Sequence, residues 1–298
     1  MSITEPVLSN EEIRHFVEKG YVVVHDCFSR ETAQAITDKA FQRLGYDKND
    51  RSTWTAPRIH MPSLEYFDLP EFSPRAWGAI CQLLGGVERI ELPATWSDAL
   101  IANFKEGADQ PWRAPSADCP GWHKDGDFFR HFLDSPEQGL LTLVIWSDIK
   151  HMGGGTYIAP DSIKVVTDYL KDRTDGVRPN EFPFKSMIHE CKEFVEFTGV
   201  IGDVVLLHPY MLHTVSQNHS DIARFITNPP VSLKEPMQFN RENPADFSPV
   251  ELAVLNALGV ERFDFKPTGQ REHIVPERVL REQKMIEEQK AKLAGMAV

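Results

Sequence analysis

The segment Gly121-Trp122-His123-Lys124-Asp125-Gly126-Asp127 places an imidazole and a carboxylate two residues apart. Residues i and i+2 of an extended strand point to the same face, so His123 and Asp125 can bind one ion. Two ligands are too few for a stable site, and the segment 202–213 ends in a third candidate, His213. Two histidines and one carboxylate form the facial triad of non-haem Fe(II) oxygenases, which leaves metal positions open. The pattern predicts a metal centre of His123, Asp125 and His213.

The downstream segment contains an alternative ligand, His208, and a cation, Arg224. A hairpin with its turn at residues 218 and 219 would place His213 and Arg224 directly opposite each other, with their Cβ atoms about 5 Å apart. An arginine beside a metal-bound imidazole suits 2-oxoglutarate, because one end of this molecule chelates iron and its far carboxylate needs a bidentate cationic partner. We therefore prefer His213 to His208 and expect Arg224 to bind 2-oxoglutarate.

The composition is that of an ordinary globular protein and argues against nucleic acid as a partner. The chain has 298 residues, of which 41% are hydrophobic and 26% charged, and a net charge of −12. The four cysteines lack CxxC spacing, which favours free thiols in a reducing compartment. We find no leader-like segment and no apolar run of membrane-spanning length, so we expect a cytoplasmic protein without a membrane partner.

Short β-rich runs separated by Gly and Pro recur between residues 121 and 230 and predict a mainly β sandwich or barrel. The predicted strands are Leu140–Trp146, Gly155–Ala159, Phe194–Phe197, Val204–Leu207, Leu212–Ser216 and Arg224–Thr227. Helical periodicity and capping residues predict flanking helices. These cover 9–19, 31–44, 249–258 and 276–296, and a strand at 21–24 follows the first helix. The stretch from about 48 to 120 is irregular, with short elements such as 76–84.

We interpret residues 1–298 as a single domain in three parts. Residues 8–120 would form N-terminal helices, strands and substrate-side loops, 121–230 the metal-binding half, and 231–298 a C-terminal helical extension. The last helix has one apolar column of residues spaced seven apart, which is too thin for a coiled-coil seam. This favours a helix packed on its own domain and leaves a homodimer through this helix as the alternative.

These motifs resemble the phytanoyl-CoA dioxygenase-like family of Fe(II)/2-oxoglutarate-dependent oxygenases. The similarity extends over roughly residues 8 to 230. It is carried by Leu8–Val24, Trp122-His123-Lys124-Asp125, Gly153–Ser162, Gly202-Asp203, His213, Asn218, Ser220 and Arg224. Two positions depart from the family pattern: Ile163 replaces a common histidine, and Val215 replaces a serine expected to hydrogen-bond the cosubstrate.

The resemblance implies a double-stranded β-helix (jelly roll, cupin-like) with flanking helices. It implies Fe(II) held by His123, Asp125 and His213, with 2-oxoglutarate anchored by Arg224. Asn103 and Trp146 are further predicted cosubstrate contacts. O2 is the remaining cosubstrate, and the products are succinate, CO2 and an oxidised substrate.

The reaction expected of such a site is hydroxylation of a C–H bond, or another C–H oxidation such as desaturation, since the carboxylate of Asp125 occupies the position that a halogenase leaves for chloride. An acidic chain without a Lys/Arg cluster favours a small metabolite or natural product over a CoA thioester. Residues near the predicted mouth are candidate substrate contacts: Arg58, Arg113, Asp127 and Arg130. Two alternatives remain open, a cupin-like iron enzyme that does not use 2-oxoglutarate and a non-catalytic binding domain.

Overall fold

The computed structural model describes residues 6–296, apart from the side chains of Leu280 and Met296. The α-helices are α1 Asn10–Lys19, α2 Arg30–Leu44, α3 Leu69–Phe72, α4 Pro74–Leu84, α5 Ser162–Leu170, α6 Phe184–Met187, α7 Pro249–Leu258 and α8 Arg278–Met296. The strands are β1 Tyr21–Val24, β2 Arg58–His60, β3 Tyr66–Asp68, β4 Thr95–Ser97, β5 Ile101–Asn103, β6 Leu140–Ile145, β7 Thr156–Ala159, β8 Val195–Glu196, β9 Val204–Leu207, β10 Leu212–Val215, β11 Arg224–Thr227 and β12 Pro230–Val231.

Two antiparallel sheets form the body of the protein. The large sheet has seven strands in the order β1-β9-β6-β11-β5-β2, with β12 paired to β6, and the small sheet has the order β10-β7-β8. Along the chain, β6, β9 and β11 belong to the large sheet, whereas β7, β8 and β10 belong to the small one. The chain therefore passes repeatedly from one sheet to the other, which is the winding of a jelly roll. The predicted fold class is confirmed.

The predicted hairpin between His213 and Arg224 is wrong. His213 in β10 pairs with Ile158 in the small sheet, and Arg224 in β11 pairs with Asn103 in the large sheet. The intervening turn does not fold back but carries the chain across to the other sheet. Asn218 holds this crossing, because its Nδ2 donates to the carbonyl oxygens of Asn103 (2.8 Å) and Ile222 (2.9 Å).

Local sequence signals fix the ends of the first helix. Ser9 and Glu12 form a capping box, and Gly20 ends α1 in the left-handed region at φ 72°. A Cβ on Gly20 would lie 2.7 Å from Cγ1 of Ile163 in α5. Glycine is therefore required both by the backbone and by the close approach of α5. Strand β1 follows directly and joins the large sheet beside β9.

The large sheet has an apolar outer face that packs on the N-terminal helices. Trp146, Phe225 and the buried valines of β1 belong to this face. The ring centroids of Phe41 in α2 and Phe225 are 5.3 Å apart, and those of Phe28 and Trp146 are 4.6 Å apart. Residues one position away along each strand point to the other face, toward the small sheet. The polar residues Asn103 and Arg224 lie on that inner face.

The C-terminal helix α8 packs on α2 of the same chain. Gln289 accepts a 2.8 Å hydrogen bond from Arg43 Nε, and Lys292 donates to the carbonyl of Leu44. No helix within residues 6–296 is long and apolar enough to cross a membrane. All four cysteines are free thiols, as expected.

Substitution of Arg43 should strongly destabilise the protein. Arg43 is buried and its Nη1 lies 2.6 Å from Oδ2 of the equally buried Asp98, so Arg43→Met would leave a carboxylate unpaired. We expect the free energy of unfolding, measured by urea denaturation, to fall by about 3–5 kcal/mol. The control is Lys48→Met, which removes an exposed pair with Asp38 and should cost at most about 1 kcal/mol. Equal effects of the two changes would contradict this.

Candidate metal centre

The side chains of His123, Asp125 and His213 meet at the open end between the two sheets. One potential ligand atom of each residue lies within 4.8 Å of the other two. Oδ1 of Asp125 is 3.3 Å from Nε2 of His123 and 3.4 Å from Nε2 of His213. Within residues 6–296 no other group of three or more His, Cys, Asp or Glu has such an arrangement. The structure thus brings the predicted triad together around one point.

Backbone pairing positions the two histidines. The backbone N–H of His123 donates to the carbonyl of His213 (3.1 Å), and that of His213 donates to the carbonyl of His123 (2.9 Å). This antiparallel bridge adds the His123 segment to the small sheet beside β10. Because directly opposed residues project to the same face, the imidazoles become neighbours, with ring centroids 4.5 Å apart.

Each imidazole is oriented by a second hydrogen bond. Nδ1 of His123 contacts the carbonyl oxygen of Gly121 at 2.7 Å, and Nδ1 of His213 contacts that of Met211 at 3.1 Å. A carbonyl oxygen can only accept, so Nδ1 carries a proton in both rings and Nε2 is the nitrogen that faces Asp125. Such carbonyl contacts are the usual outer support of metal-binding histidines.

Asn228 supports the third ligand and is a residue that the sequence analysis missed. Its Nδ2 donates to Oδ2 of Asp125 at 2.7 Å, so Oδ1 remains directed at the two imidazoles. Asn228 lies four residues after Arg224 and directly follows β11, so the alternation of an extended chain places both on the inner face. That spacing was the available sequence signal.

The charge state of Asp125 suits a ligand. Burial by itself raises the pKa of this carboxyl, but the charge of His213 and hydrogen bonds from both imidazoles outweigh it and hold the pKa well below its usual range. For His123, burial lowers the pKa, but the hydrogen bond and charge of Asp125 outweigh this effect and raise it. Once Nε2 of each ring has lost its proton, this carboxylate and the two neutral imidazoles can bind a metal cation together. This donor set suits Fe(II) and related transition metals.

The turn after Asp125 depends on Gly126 and on two buried side chains. Gly126 has φ 118°, and a Cβ there would lie 2.5 Å from Cε1 of His131. Lys124 Nζ donates to Nδ1 of His131 at 2.7 Å, and Nε2 of His131 contacts the carbonyl of Gly126 at 2.8 Å. Burial lowers the pKa of Lys124 to about 7. Sequence analysis assigned no role to Lys124, which fastens the loop behind the metal ligands.

His208 does not face the triad. It is fully buried, its Nδ1 accepts from the backbone N–H of Tyr210 (3.1 Å), and its Nε2 contacts the carbonyl of Val250 (3.2 Å). Burial lowers the pKa of this imidazole to about 3. Both ring nitrogens are thus occupied in the core, which removes His208 as the alternative ligand.

Arg224 lies on the inner face of the large sheet as a buried cation. Its side chain is 1% exposed, Nε donates to the carbonyl of Gly154 (2.7 Å), and Nη1 donates to that of Ile101 (3.0 Å). No carboxylate among residues 6–296 lies within ion-pair distance, and Nη2 has no acceptor there. Burial and the nearby charge of Arg58 lower the pKa of Arg224 to about 9. A guanidinium held in this way is a ready site for a carboxylate ligand.

The two further predicted cosubstrate contacts lie on opposite faces of the large sheet. Asn103 is directly opposite Arg224 in the register, on the inner face, and its Nδ2 donates to the carbonyl of Ser216 at 3.1 Å. Trp146 lies on the outer face, where its Nε1 donates to Thr227 Oγ1 at 3.0 Å and its ring packs on Phe28. Trp146 therefore cannot reach a ligand of Arg224, and its predicted role is corrected.

Two of the predicted substrate contacts are engaged elsewhere. Asp127 accepts from Nε (2.7 Å) and Nη2 (3.1 Å) of Arg278, and Arg130 pairs with Glu272 at 3.2 Å. These ion pairs tie the loop to the C-terminal segment, and the role of both residues as substrate contacts stays a prediction. Sequence analysis could not foresee partners so far along the chain.

The remaining two predicted substrate contacts differ in position. Arg113 is exposed, and its backbone is bound by Tyr157 Oη and Gln217 Oε1. Arg58 belongs to the inner face, since it pairs with Asn103 from the side opposite to Arg224. Of the four predicted substrate contacts, Arg58 is thus the one nearest to Arg224 in the large sheet.

The chain is similar to several solved structures. One is the non-heme alpha ketoglutarate dependent carbocyclase SnoK from nogalamycin biosynthesis, at 20% identity over 76% of this chain and 84% of that chain, with a TM-score of 0.46. Another is EctD from S. alaskensis, at 18% identity over 83% and 86% of the two chains, with a TM-score of 0.46. The epimerase SnoN in complex with Fe3+, alpha ketoglutarate and nogalamycin RO is 16% identical over 90% and 96%, also with a TM-score of 0.46. No protein-family model and no curated protein matches the sequence.

Removal of the Asn228 amide should weaken metal binding. Asn228→Ala frees Oδ2 of Asp125, and loss of such an outer hydrogen bond typically costs 10- to 100-fold in metal affinity. We expect a loss of that size for Fe(II) or Zn(II), measured by competition with a chelator. As a control, Asn256→Ala removes an exposed amide that donates a 3.5 Å hydrogen bond to Val17 O. An Asn228→Ala affinity equal to that of this control would contradict the supporting role.

Proposed function

We propose that this protein is an Fe(II)/2-oxoglutarate-dependent oxygenase that acts on a small metabolite or natural product. The observation that carries the proposal is the combination of the facial triad with Arg224, a buried cation without a counter-ion among residues 6–296, on the wall of the same jelly roll. A structural arginine in such a position would be expected to have a carboxylate partner, because an unpaired buried charge is costly.

His123, Asp125 and His213 would hold the iron through Nε2, Oδ1 and Nε2. When bound, iron with 2-oxoglutarate and O2 supplies the oxidising chemistry, with succinate and CO2 as products. The protein contributes geometry. The Gly121 and Met211 carbonyls fix the two imidazoles, Asn228 fixes the carboxylate, and three protein ligands leave the other metal positions open.

Arg224 would hold the far carboxylate of 2-oxoglutarate. The Gly154 and Ile101 carbonyls occupy Nε and one Nη1 proton, which leaves the Nη2 edge for the ligand. Because these carbonyls fix the guanidinium in advance, little side-chain entropy is lost on binding. Asn103 remains a proposed neighbour of the cosubstrate on the same wall.

The outcome that we propose is hydroxylation of a C–H bond. The third metal ligand, Asp125, is a carboxylate already directed by Asn228, so this position is filled by the protein and not available to a halide. The chain has a net charge of −12, which favours a small substrate over a polyphosphate-bearing CoA thioester.

Substitution of Arg224 should separate cosubstrate binding from metal binding. Arg224→Gln removes the charge that the far carboxylate needs, and loss of one partner of a buried charge pair costs about 2–5 kcal/mol. We expect 2-oxoglutarate binding to weaken at least about 30-fold. The measurement is an anaerobic titration of the Fe(II) protein, which follows the weak visible absorption of a chelated keto acid.

The controls test each part of the site. Arg51→Gln, an exposed arginine paired with Asp221, should bind 2-oxoglutarate like the wild type, and His213→Ala should lose the metal and the absorption together. If Arg224→Gln binds 2-oxoglutarate normally, the protein is instead an iron enzyme that does not use Arg224 for this cosubstrate. A further outcome is a wild type that binds the metal but fails to bind 2-oxoglutarate and shows no O2-dependent turnover. That result favours a non-catalytic binding domain.

A further inference from the structure

A second cation, Arg58, lies on the inner wall in the same row as Arg224. Arg58 in β2 pairs with Asn103 in β5, and Asn103 pairs with Arg224 in β11, so the three side chains point to one face. Neighbouring strands are about 4.8 Å apart, which puts the Cα atoms of the two arginines about 10 Å from each other. Strand β2 is the edge strand on its side of the large sheet.

Arg58 has no close counter-ion among residues 6–296. Its nearest carboxylate is Glu106, with Nε to Oε2 at 3.9 Å, and both side chains are about one-third exposed (34% and 37%). That distance is too long for a hydrogen bond, and such a pair contributes little. No hydrogen bond of the guanidinium occurs in the described part of the chain. Arg58 is therefore available to a ligand, in a chain whose net charge is −12.

His60 lies beside Arg58 on the same strand and the same face. It is two residues further along β2, is solvent-accessible, and forms no side-chain hydrogen bond within residues 6–296. Burial and the charges of Arg58 and Arg224 lower the pKa of its imidazole, whereas Asp125 acts in the opposite direction. His60 therefore remains neutral at pH 7 and offers a hydrogen bond in place of a second charge.

We propose that Arg58, assisted by His60, binds a carboxylate of the substrate. This inference rests on the proposed function, because it takes Arg224 as the cosubstrate anchor and assigns the other cation of the row to the substrate. A planar guanidinium binds a carboxylate through two parallel hydrogen bonds, and a neutral imidazole can add a third. The position is suitable, because the strand register places Arg58 on the same face of the large sheet as Arg224, with only Asn103 between them.

The test uses binding and does not require the natural substrate. The protein is loaded with Zn(II) and saturating 2-oxoglutarate, and ligand-observed NMR measures its affinity for a panel of small carboxylic acids, each matched with its primary amide. We expect the acids to bind at least about 10-fold more tightly than their amides. Arg58→Gln should remove this preference, and His60→Ala should reduce it. Arg51→Gln, which changes an exposed arginine, should leave it unchanged.

Several outcomes would overturn the proposal. One is an absence of acid preference across the panel in the wild type, and another is an acid preference that persists in Arg58→Gln. A third is a large loss of 2-oxoglutarate affinity in Arg58→Gln, which would make Arg58 a second cosubstrate anchor. Failure of the proposed function is recognised separately, because the wild type would then not bind 2-oxoglutarate. The panel is in that case repeated with Zn(II) alone.

Discussion

The candidate site depends on one backbone interaction, the reciprocal pair of hydrogen bonds between His123 and His213. These bonds add a short extended segment to the edge of the small sheet and bring residues that are distant in the chain to adjacent positions. Since paired residues share a face, no side-chain rearrangement is needed for the two imidazoles to converge. Asp125 follows at the position where an extended chain returns to that face. The geometry of the triad is thus set mainly by the rigid sheet, which is where precise sites are best supported.

The cations on the inner wall are the second constraint. Arg224 is buried, with two carbonyl oxygens as partners and no carboxylate among residues 6–296. Arg43 is also buried, but it forms an ion pair with Asp98. The paired Arg43 stabilises the fold, whereas the unpaired charge of Arg224 lowers the stability of the protein. Natural proteins depart from complete polar pairing mainly at functional sites. The contrast with Arg43 is therefore an argument for a ligand at Arg224 that does not depend on any resemblance to other proteins.

Local signals in the sequence predicted the regular elements well, but contacts between elements were less accessible. Strands β1, β9 and β11 and helix α7 have the predicted bounds, because capping residues and β-branched runs act over a few positions. The hairpin prediction failed because a turn at Asn218 can either fold back or cross to the opposite sheet, and only tertiary hydrogen bonds to Asn103 and Ile222 decide which. The role predicted for Trp146 failed for a related reason. Alternation along a strand separates two faces, but when both faces of the sheet are covered it does not show which one lines the ligand site. Asn228 could have been found once the inner face was assigned through Arg224.

The C-terminal segment holds the loop that follows Asp125, which the two sheets of the jelly roll do not hold. The sheets hold His123 and His213, but the chain leaves regular structure at Asp125 and continues into a loop. That loop is bound by backbone hydrogen bonds from Arg130 to Glu272 and from Ile274 to Phe128, and by the side-chain pair of Asp127 with Arg278. Exposed ion pairs contribute little individually, so the backbone bonds and the buried Lys124–His131 contact are the stronger restraints. Since the loop continues from Asp125, the contacts of residues after 270 with residues 127–130 restrain the chain that follows this carboxylate. The C-terminal extension is therefore part of the support of the site, although it supplies none of the three residues of the triad.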